Sequence, residues 1–424
     1  MTMRILQVST FDIAGGAALA AYRLHQGLVA ADHDSRMVVM RRDSNDSTVT
    51  VPGYSTDIGS RISSRFLRRR IRGEHAKYAA TKPDWPEKFS DDRTWHDWES
   101  GVDLQSFDAV NLHWVSGLLD FHRFFDTVPA NVPVVWTLHD MNTFTGGCHY
   151  DASCGRYLDR CGACPQLGSR HEDDLSRDVY SRKEGVFSRI EKNRLCFVTP
   201  SRWLADEVRR SSLLGDRFPV SVIPNGVNTD EFAPRDRLAA RDALGVPPTA
   251  RVILFVAYSL EARRKGFAVL TEAMRELSSD PDLVVLSVGA RGASDQIRLR
   301  QIHLGTVSQA RFLSLAYSAA DLFVIPSLQD NLPSTVLEAL ACGTPIVGFD
   351  VGGIPDMVRP GKTGALAPVG DPGEFARAIR DLLADPEARK RMSVECRLLA
   401  TDEYHMDTCV RRYEKLYRDL AGSV

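Results

Sequence analysis

Short aliphatic and β-branched runs alternate along this chain with longer stretches whose apolar positions recur every three or four residues. Residues 4–9 predict a buried strand, followed by a loop carrying Gly15-Gly16, a helix over about 17–30 and a strand at 36–40. Further strands are predicted at 109–113, 134–139, 196–200 and 220–224. Around Pro224-Asn225-Gly226-Val227-Asn228 the pattern breaks into a turn-rich connector. A second set follows, with strands at 252–257, 283–288, 322–326 and 346–349 and helices beginning near Phe267, Gln309 and Ser334. Residues 372–421 are almost wholly helical in pattern. Such alternation implies βαβ units and parallel sheets with helices on both faces. The fold class is therefore α/β, with two Rossmann-like halves joined by one linker.

Size and composition narrow this picture. A chain of 424 residues exceeds one ordinary core, so two domains are the natural prior. Apolar content of 43% and charged content of 25% are those of a soluble globular protein. A formal net charge of -2 argues against a general nucleic-acid binder. No apolar run reaches the roughly 18 residues that a membrane span needs, and the first residues enter a strand without the apolar core of a signal peptide. The expectation is a cytoplasmic protein whose 8 cysteines serve as thiols or metal ligands rather than disulfides.

The run from Gln329 to Val347 carries the most chemistry. It predicts a turn holding Asp330, a short helix holding Glu338, and a buried strand. Ser334 or Thr335 is expected at the N-cap beyond Asn331-Leu332-Pro333, so that unbonded backbone N–H groups open the helix. Such a helix start attracts anions, phosphate above all. Glu338, one turn inside, can accept hydrogen bonds from hydroxyls on whatever that phosphate is attached to. A phosphate cradle beside a sugar-binding carboxylate suggests a nucleotide sugar. The run resembles the Glu-x7-Glu signature of the retaining GT-B glycosyltransferases of family four (glycosyl transferases group 1), whose wording is close to E-G-L-P-x-x-x-L-E-A-M-A-C-G-T-P-V-V. Here Asp330 replaces the first Glu and Asn331 the common Gly.

Other segments extend the resemblance over most of residues 1–390. Pro224 to Phe232 resembles the family connector I/V-P-N-G-V-D-x-x-x-F, and Ser201-Arg202-Trp203-Leu204 its S-x-x-L helix start. Gly352-Gly353-Ile354-Pro355-Asp356 and Gly361-Lys362-Thr363-Gly364 are similar to its G-G-x-x-E and G-x-x-G segments. Arg263-Arg264-Lys265-Gly266 follows the first strand of the second half, where concentrated positive charge can neutralise a diphosphate without a divalent metal. Lys265 matches the Lys of the family's G-R-L-x-x-x-K-G, whereas Leu260 stands where its Arg would be, so Arg263 or Arg264 is left to supply a guanidinium. Without that context the run is an ordinary solvated loop. Gly15-Gly16, after the first strand, is either a simple tight turn or a place where backbone N–H groups approach a ligand. His139 ends a strand at the mouth of the sheet, where ligand contacts gather; its bland alternative is a strand-capping imidazole. His113 and Asp140 are weaker candidates on the acceptor side.

The resemblance implies a GT-B fold, two Rossmann-like domains facing across a cleft. Residues 1–224 would bind the acceptor, with a cysteine-rich insertion at 141–170. Residues 225–400 would bind the donor, and a helix within 401–424 would cross back onto the first domain. It further implies a hexose-type sugar moved from a nucleotide-diphosphate sugar to a glycan or lipid-linked acceptor, with retention, with no cofactor for catalysis, and within bacterial surface polysaccharide biosynthesis. In those roles Glu338 binds the ribose, and Asp330 with the backbone after it, at Asn331 and Leu332, contacts the sugar. Lys265, Arg263 or Arg264, Ser334 and Thr335 hold the diphosphate, and His139 with Gly15 and Gly16 completes the sugar pocket. Alternatives are another GT-B enzyme of the sucrose-synthase or phosphorylase kind, or a non-catalytic nucleotide-sugar-binding protein.

Two features fall outside this scheme. Cys148, Cys154, Cys161 and Cys164 are spaced C-x5-C-x6-C-x2-C, compatible with a structural zinc, with free thiols or with disulfides. Residues 62–72 are basic, with Ile62, Phe66, Leu67 and Ile71 at helical spacing. They form either a peripheral contact with an anionic membrane at its inner face or an ordinary packed surface helix.

Overall fold

The computed structural model describes residues 2–53, 58–83, 87–257, 262–289, 299–307 and 309–422, which leaves Leu260 outside the described residues. Tertiary contacts divide the chain into two units. One comprises Met1–Pro224 with Cys409–Val424, the other Asn225–Thr408. Residues 401–408 thus belong with the second unit, and the terminal segment that joins the first begins at 409 rather than 401.

The first unit is built on a seven-stranded parallel sheet. Its strands are β1 (Arg4–Phe11), β2 (Asp34–Arg41), β3 (Val49–Thr50), β4 (Ala109–Leu112), β5 (Val134–Thr137), β6 (Leu195–Thr199) and β7 (Val220–Val222). They lie in the order β3-β2-β1-β4-β5-β6-β7. The chain steps outward from β1 and then returns to the other side of it, so the switch point of a doubly wound sheet falls between β1 and β4. Strands β4, β5 and β6 are buried at every position, as expected where helices cover both faces.

The terminal helix Met406–Ala421 completes this unit through polar contacts in an otherwise apolar core. The Tyr413 hydroxyl lies 2.9 Å from Thr137 Oγ1, and the Tyr417 hydroxyl 2.9 Å from the Asn111 amide. Both tyrosines are buried, so each hydroxyl needs such a partner.

The second unit carries a six-stranded parallel sheet. Its strands are β8 (Arg251–Ala257), β9 (Leu283–Gly289), β10 (Arg300–His303), β11 (Leu322–Ile325), β12 (Ile346–Phe349) and β13 (Gly364–Ala367), in the order β10-β9-β8-β11-β12-β13. Successive side chains of β8 enter different cores. Val252, Leu254 and Val256 pack with the helix Ser334–Ala341, while Ile253 and Phe255 pack with the helices Phe267–Glu276 and Pro372–Ala384. This period of two, apolar on both sides, is why the strand is a continuous aliphatic run in sequence.

Three strands were not expected from the pattern. β3 is two residues long, β10 is a half-exposed edge strand of mostly polar residues, and β13 begins on a glycine. The helical tail is three helices, Pro372–Ala384, Pro386–Asp402 and Met406–Ala421. Asp385 ends the first and caps the second, its carboxylate accepting from the Ala388 amide, with Pro386 in the first turn.

Candidate functional site

In a doubly wound sheet ligands bind outside the carboxyl ends of the strands at the switch point. In the second unit that point lies between β8 and β11, and most of the predicted donor residues follow those two strands. Beyond β8 the described chain resumes at Ala262 and makes a tight turn, Arg263–Lys265, closed by Gly266 in the left-handed region at φ 67°. A Cβ at Gly266 would lie 1.7 Å from the Pro326 carbonyl oxygen, so only glycine lets this turn press against the exit of β11. The Leu328 amide donates to the Arg264 carbonyl at 2.6 Å and ties the two segments together.

That clamp brings Lys265 to Asp330. The ammonium lies 2.6 Å from Asp330 Oδ2, which also accepts from the Ser327 hydroxyl at 3.1 Å, and the Asn331 amide donates to Oδ1 at 3.2 Å. Asp330 is buried, which by itself pushes its carboxyl up. The charges of Lys265 and Arg264 and the hydrogen bonds from Lys265 and Ser327 outweigh burial and hold it below the usual carboxylate range. Behind it, the Gly353 amide donates to the Asp330 carbonyl at 3.0 Å, and Gly352, at φ 60°, passes so close that a Cβ would sit 2.0 Å from that oxygen. The glycine pair is therefore a close backbone approach that fixes Asp330 from beneath.

The helix Ser334–Ala341 departs from expectation at its start. Pro333 is the N-cap and no side chain caps the helix, so Ser334 and Thr335 are its first two residues. Proline's fixed φ, here -63°, directs the chain into the helix without a hydroxyl cap. Ser334 and Thr335 are half-buried, and Asn331 is buried. Leu332 packs its side chain into the core, which leaves its backbone for any ligand contact. Glu338 is buried and accepts from the Tyr317 hydroxyl at 3.2 Å.

The first unit gathers a different set at its own switch point. Gly15 precedes the helix Gly16–Ala30 at φ 93° and ψ 166°, a conformation that favours glycine, and space is open around both Gly15 and Gly16. The buried Asp12 carboxylate accepts from the backbone N–H groups of Ile13, Asp43 and Ser44 and fixes this loop. His113 follows β4 and His139 follows β5, and the two imidazoles are joined, Nδ1 to Nε2, at 3.0 Å. The other nitrogen of His113 lies 2.7 Å from Gln7 Oε1. Burial pushes the His113 pKa well down, with the neighbouring His139 adding to it, and burial takes His139 down to about 4 despite Asp140. Both rings are neutral at physiological pH.

Asp140 is half-buried and bound to Trp114 and to the cysteine-containing segment. It accepts from Trp114 Nε1 at 2.9 Å and from the Asn142 amide at 2.9 Å, and its Oδ2 lies 2.6 Å from His149 Nδ1. His149 in turn meets the Ser90 hydroxyl at 2.8 Å. Trp114 stacks on Phe11 at 6.0 Å, and the Lys88 ammonium lies 3.8 Å above its ring. Trp114, His149, Lys88 and Gln7 were missed in the sequence. Of these only Trp114, directly after His113 at a strand end, carried a local signal.

Two family models divide the chain. One described as "Glycosyltransferase Family 4" matches residues 14–231, and one described as "Glycosyl transferases group 1" matches residues 250–385. A D-inositol 3-phosphate glycosyltransferase 2 of Catenulispora acidiphila is 35% identical over 184 residues, 39% of this chain and 43% of the relative. A D-inositol 3-phosphate glycosyltransferase of Geodermatophilus obscurus is 40% identical over 183 residues, 39% and 40% of the two chains. The chain thus spans less than half the length of the curated relatives it matches. Among solved structures, the sucrose-phosphate synthase of Thermosynechococcus elongatus superposes with a TM-score of 0.67 at 20% identity, covering 100% of both chains. Anabaena Alr3699/HepE in complex with UDP-glucose gives 0.64 at 15% identity, covering 98% of this chain and 100% of that one. Likeness at such identities speaks for the GT-B fold alone.

Proposed function

Because the chain belongs to the glycosyltransferases of family 4, we propose that it is a retaining glycosyltransferase that moves a hexose-type sugar from a nucleotide-diphosphate sugar to a glycan or lipid-linked acceptor. The observation that carries the donor half of this reading is the Lys265–Asp330 pair at the switch point of the second sheet, just before the helix Ser334–Ala341. Two elements there suit a diphosphate, namely the cations of the 263–265 turn and the N–H groups of the first helical turn, which no carbonyl of their own helix can satisfy. The incoming phosphates draw Lys265 away from Asp330 and release that carboxylate to accept from hydroxyls of the transferred sugar. Glu338 takes the ribose hydroxyls.

As the glycosidic bond to the phosphate breaks, negative charge grows on the leaving diphosphate, and Lys265 with Arg263 or Arg264 stabilises it in place of a metal ion. The acceptor hydroxyl attacks from the leaving-group face and its proton passes to the departing phosphate, so the anomeric configuration is retained without a protein nucleophile. The first unit takes the acceptor. Gly15 and Gly16 supply backbone donors, and His139, neutral through burial, is oriented by its bond to His113.

Bacterial surface polysaccharide biosynthesis at the inner face of the membrane is the pathway we assign. The helix Ile58–Ala76 supports it. Leu67 and Ile71 turn inward, while Ile62 and Phe66 stay exposed beside Arg61, Arg65 and Arg69, an arrangement suited to anionic lipid headgroups. Among the described residues no helix is long and apolar enough to cross a membrane.

Thermal unfolding against UDP-, GDP-, ADP- and dTDP-sugars and the free diphosphates tests the donor assignment. UDP-glucose is the first donor to try, since the Anabaena neighbour was solved with it. A ligand at about a hundred times its dissociation constant adds roughly 2.7 kcal/mol. One base should shift the transition, and Glu338→Ala should abolish the shift. A flat response to every nucleotide, with no turnover when inositol phosphates and glycans are offered as acceptors, would refute the reading.

A further inference from the structure

We propose that Cys148, Cys154, Cys161 and Cys164 together bind one Zn2+, which holds the segment 141–170 in shape and through His149 fixes Asp140 beside His139. The four thiols, from three places along the segment, line one cavity of about 10 Å3. That is about the volume that a single water-sized body fills. All four are free thiols. As they stand the sulfurs do not form a ready ligand group, since among the described residues no cluster of three or more His, Cys, Asp or Glu is placed to hold a metal. Loading therefore requires the loops around the cavity to close on the ion.

Burial pushes all four thiols up, and several nearby donors offset part of that cost. The Gly146 amide donates to Cys161 Sγ at 3.1 Å. Backbone N–H groups of Gln166 and Leu167 point at Cys164, and that of Arg156 at Cys154. The Lys183 ammonium, fully buried, donates to the carbonyls of Asn142 and Thr145, and it lies close enough to Cys148 and Cys161, as well as to Asp91 and Asp92, to interact with their charges. One Zn2+ would displace four thiol protons and leave a dianionic ZnS4 unit, which these donors and Lys183 partly balance. Four sulfurs close the tetrahedron and leave no position for catalysis.

The segment also needs such a staple. Its only regular elements are the short turns Asn142–Phe144, Arg156–Leu158 and Pro165–Leu167. Three of the four non-glycine residues at positive φ among the described residues, Ala152, Ser153 and Ala163, lie within it. Each costs about 1–2 kcal/mol and persists only where the surroundings impose it.

The test does not depend on transferase activity. Protein from zinc-supplemented cells, desalted, should carry about one zinc per chain by elemental analysis, with an X-ray absorption shell of four sulfurs at about 2.3 Å. Cys161→Ser combined with Cys164→Ser should lower the zinc content at least fivefold, while Cys196→Ser and Cys409→Ser should leave it unchanged. Should the double variant not fold, the stoichiometry and sulfur shell of the unaltered chain decide alone. Zinc below about a tenth of the protein with the thiols reduced, disulfides within the segment, or iron in place of zinc would each overturn the proposal.

Discussion

Replacing Lys265 by Met separates what the Lys265–Asp330 pair does for the fold from what it does for the donor. The Asp330 side chain is 9% exposed and that of Lys265 34%. Removing the partner of a fully buried ion pair costs about 3–5 kcal/mol, and breaking an exposed pair about 0.2–1 kcal/mol. Here the lysine is partly in water, Arg264 still favours the carboxylate, and Ser327 and Asn331 remain bonded to it. The expected loss is therefore intermediate, about 2 kcal/mol, or a drop of about 4–8 °C in the unfolding of a unit of this size. Asp330→Asn in the same chain should recover most of that loss, because it removes the stranded charge. Affinity for the donor's nucleoside diphosphate, UDP if the uridine donors give the thermal shift, should behave differently. Lys265→Met should weaken it about tenfold or more, some 1.4 kcal/mol, and Asp330→Asn should not restore it. Calorimetric unfolding and UDP titration of the two single variants and the double variant complete the cycle. If Lys265→Met leaves stability within about 0.5 kcal/mol and UDP binding unchanged, the pair is an incidental surface contact and the assignment of the diphosphate site fails.

Gly352→Ala should cost more than about 2 kcal/mol by thermal unfolding and weaken UDP, because its Cβ would strike the Asp330 carbonyl at a backbone angle that favours glycine. A variant as stable as the parent would mean that the loop under Asp330 is slack. His25, fully buried between the Ser35 and Thr48 hydroxyls at 2.8 Å each, has its pKa taken down to about 4 by burial despite Asp46. The unfolded chain, with a value near 6.5, binds the proton first. The contribution of neutral His25 is thus fully present above pH ~6.5 and is lost as pH falls toward ~4. The melting temperature of His25→Gln should fall less steeply than the parent's over that interval, and parallel curves would contradict the assignment. Tyr417→Phe removes the hydroxyl beside Asn111 and should cost about 1 kcal/mol without altering UDP affinity. A change in UDP binding would mean that the terminal helix does more than complete the first unit.

The parts of the fold legible in sequence are those in which local pattern and tertiary role coincide. β8 and β12 are continuous aliphatic runs because both faces of the second sheet are buried. The connector motif is legible for a similar reason. The Asn228 side chain accepts from the amides of Asp230 and Glu231 to form the turn, and Phe232 inserts into the core against Tyr317. Ser201 caps its helix through the Leu204 amide, which gives the Ser-x-x-Leu spacing a physical meaning. β10 escaped notice because an edge strand needs no apolar alternation, and the cap at Ser334 was misassigned because a proline turn replaces a hydroxyl. The Asp140–His149–Ser90 and Trp114–Lys88 contacts were invisible for another reason. They join residues whose proximity is set by how the segment 141–170 folds against the end of β5, and no periodicity encodes that.

The two switch points differ in charge, and that difference bears on which unit takes which substrate. At the end of the first sheet the titratable groups are quenched. His113 and His139 are neutral, and Asp140 is saturated by Trp114, His149 and the Asn142 amide. Such a surface offers hydrogen bonds and an aromatic face, which suit uncharged hydroxyl-bearing rings, and Lys88 stands there over Trp114 rather than in a run of cations. At the end of the second sheet three consecutive cations occupy one turn, and one of them, Lys265, is paired with the carboxylate of Asp330. Bringing a diphosphate there exchanges one anionic partner of Lys265 for another and leaves the turn less in need of counter-charge. Binding it at the first site would require charge compensation from groups held neutral by burial. These electrostatics favour the proposed placing of the donor on the second unit, on grounds that stand apart from any family likeness.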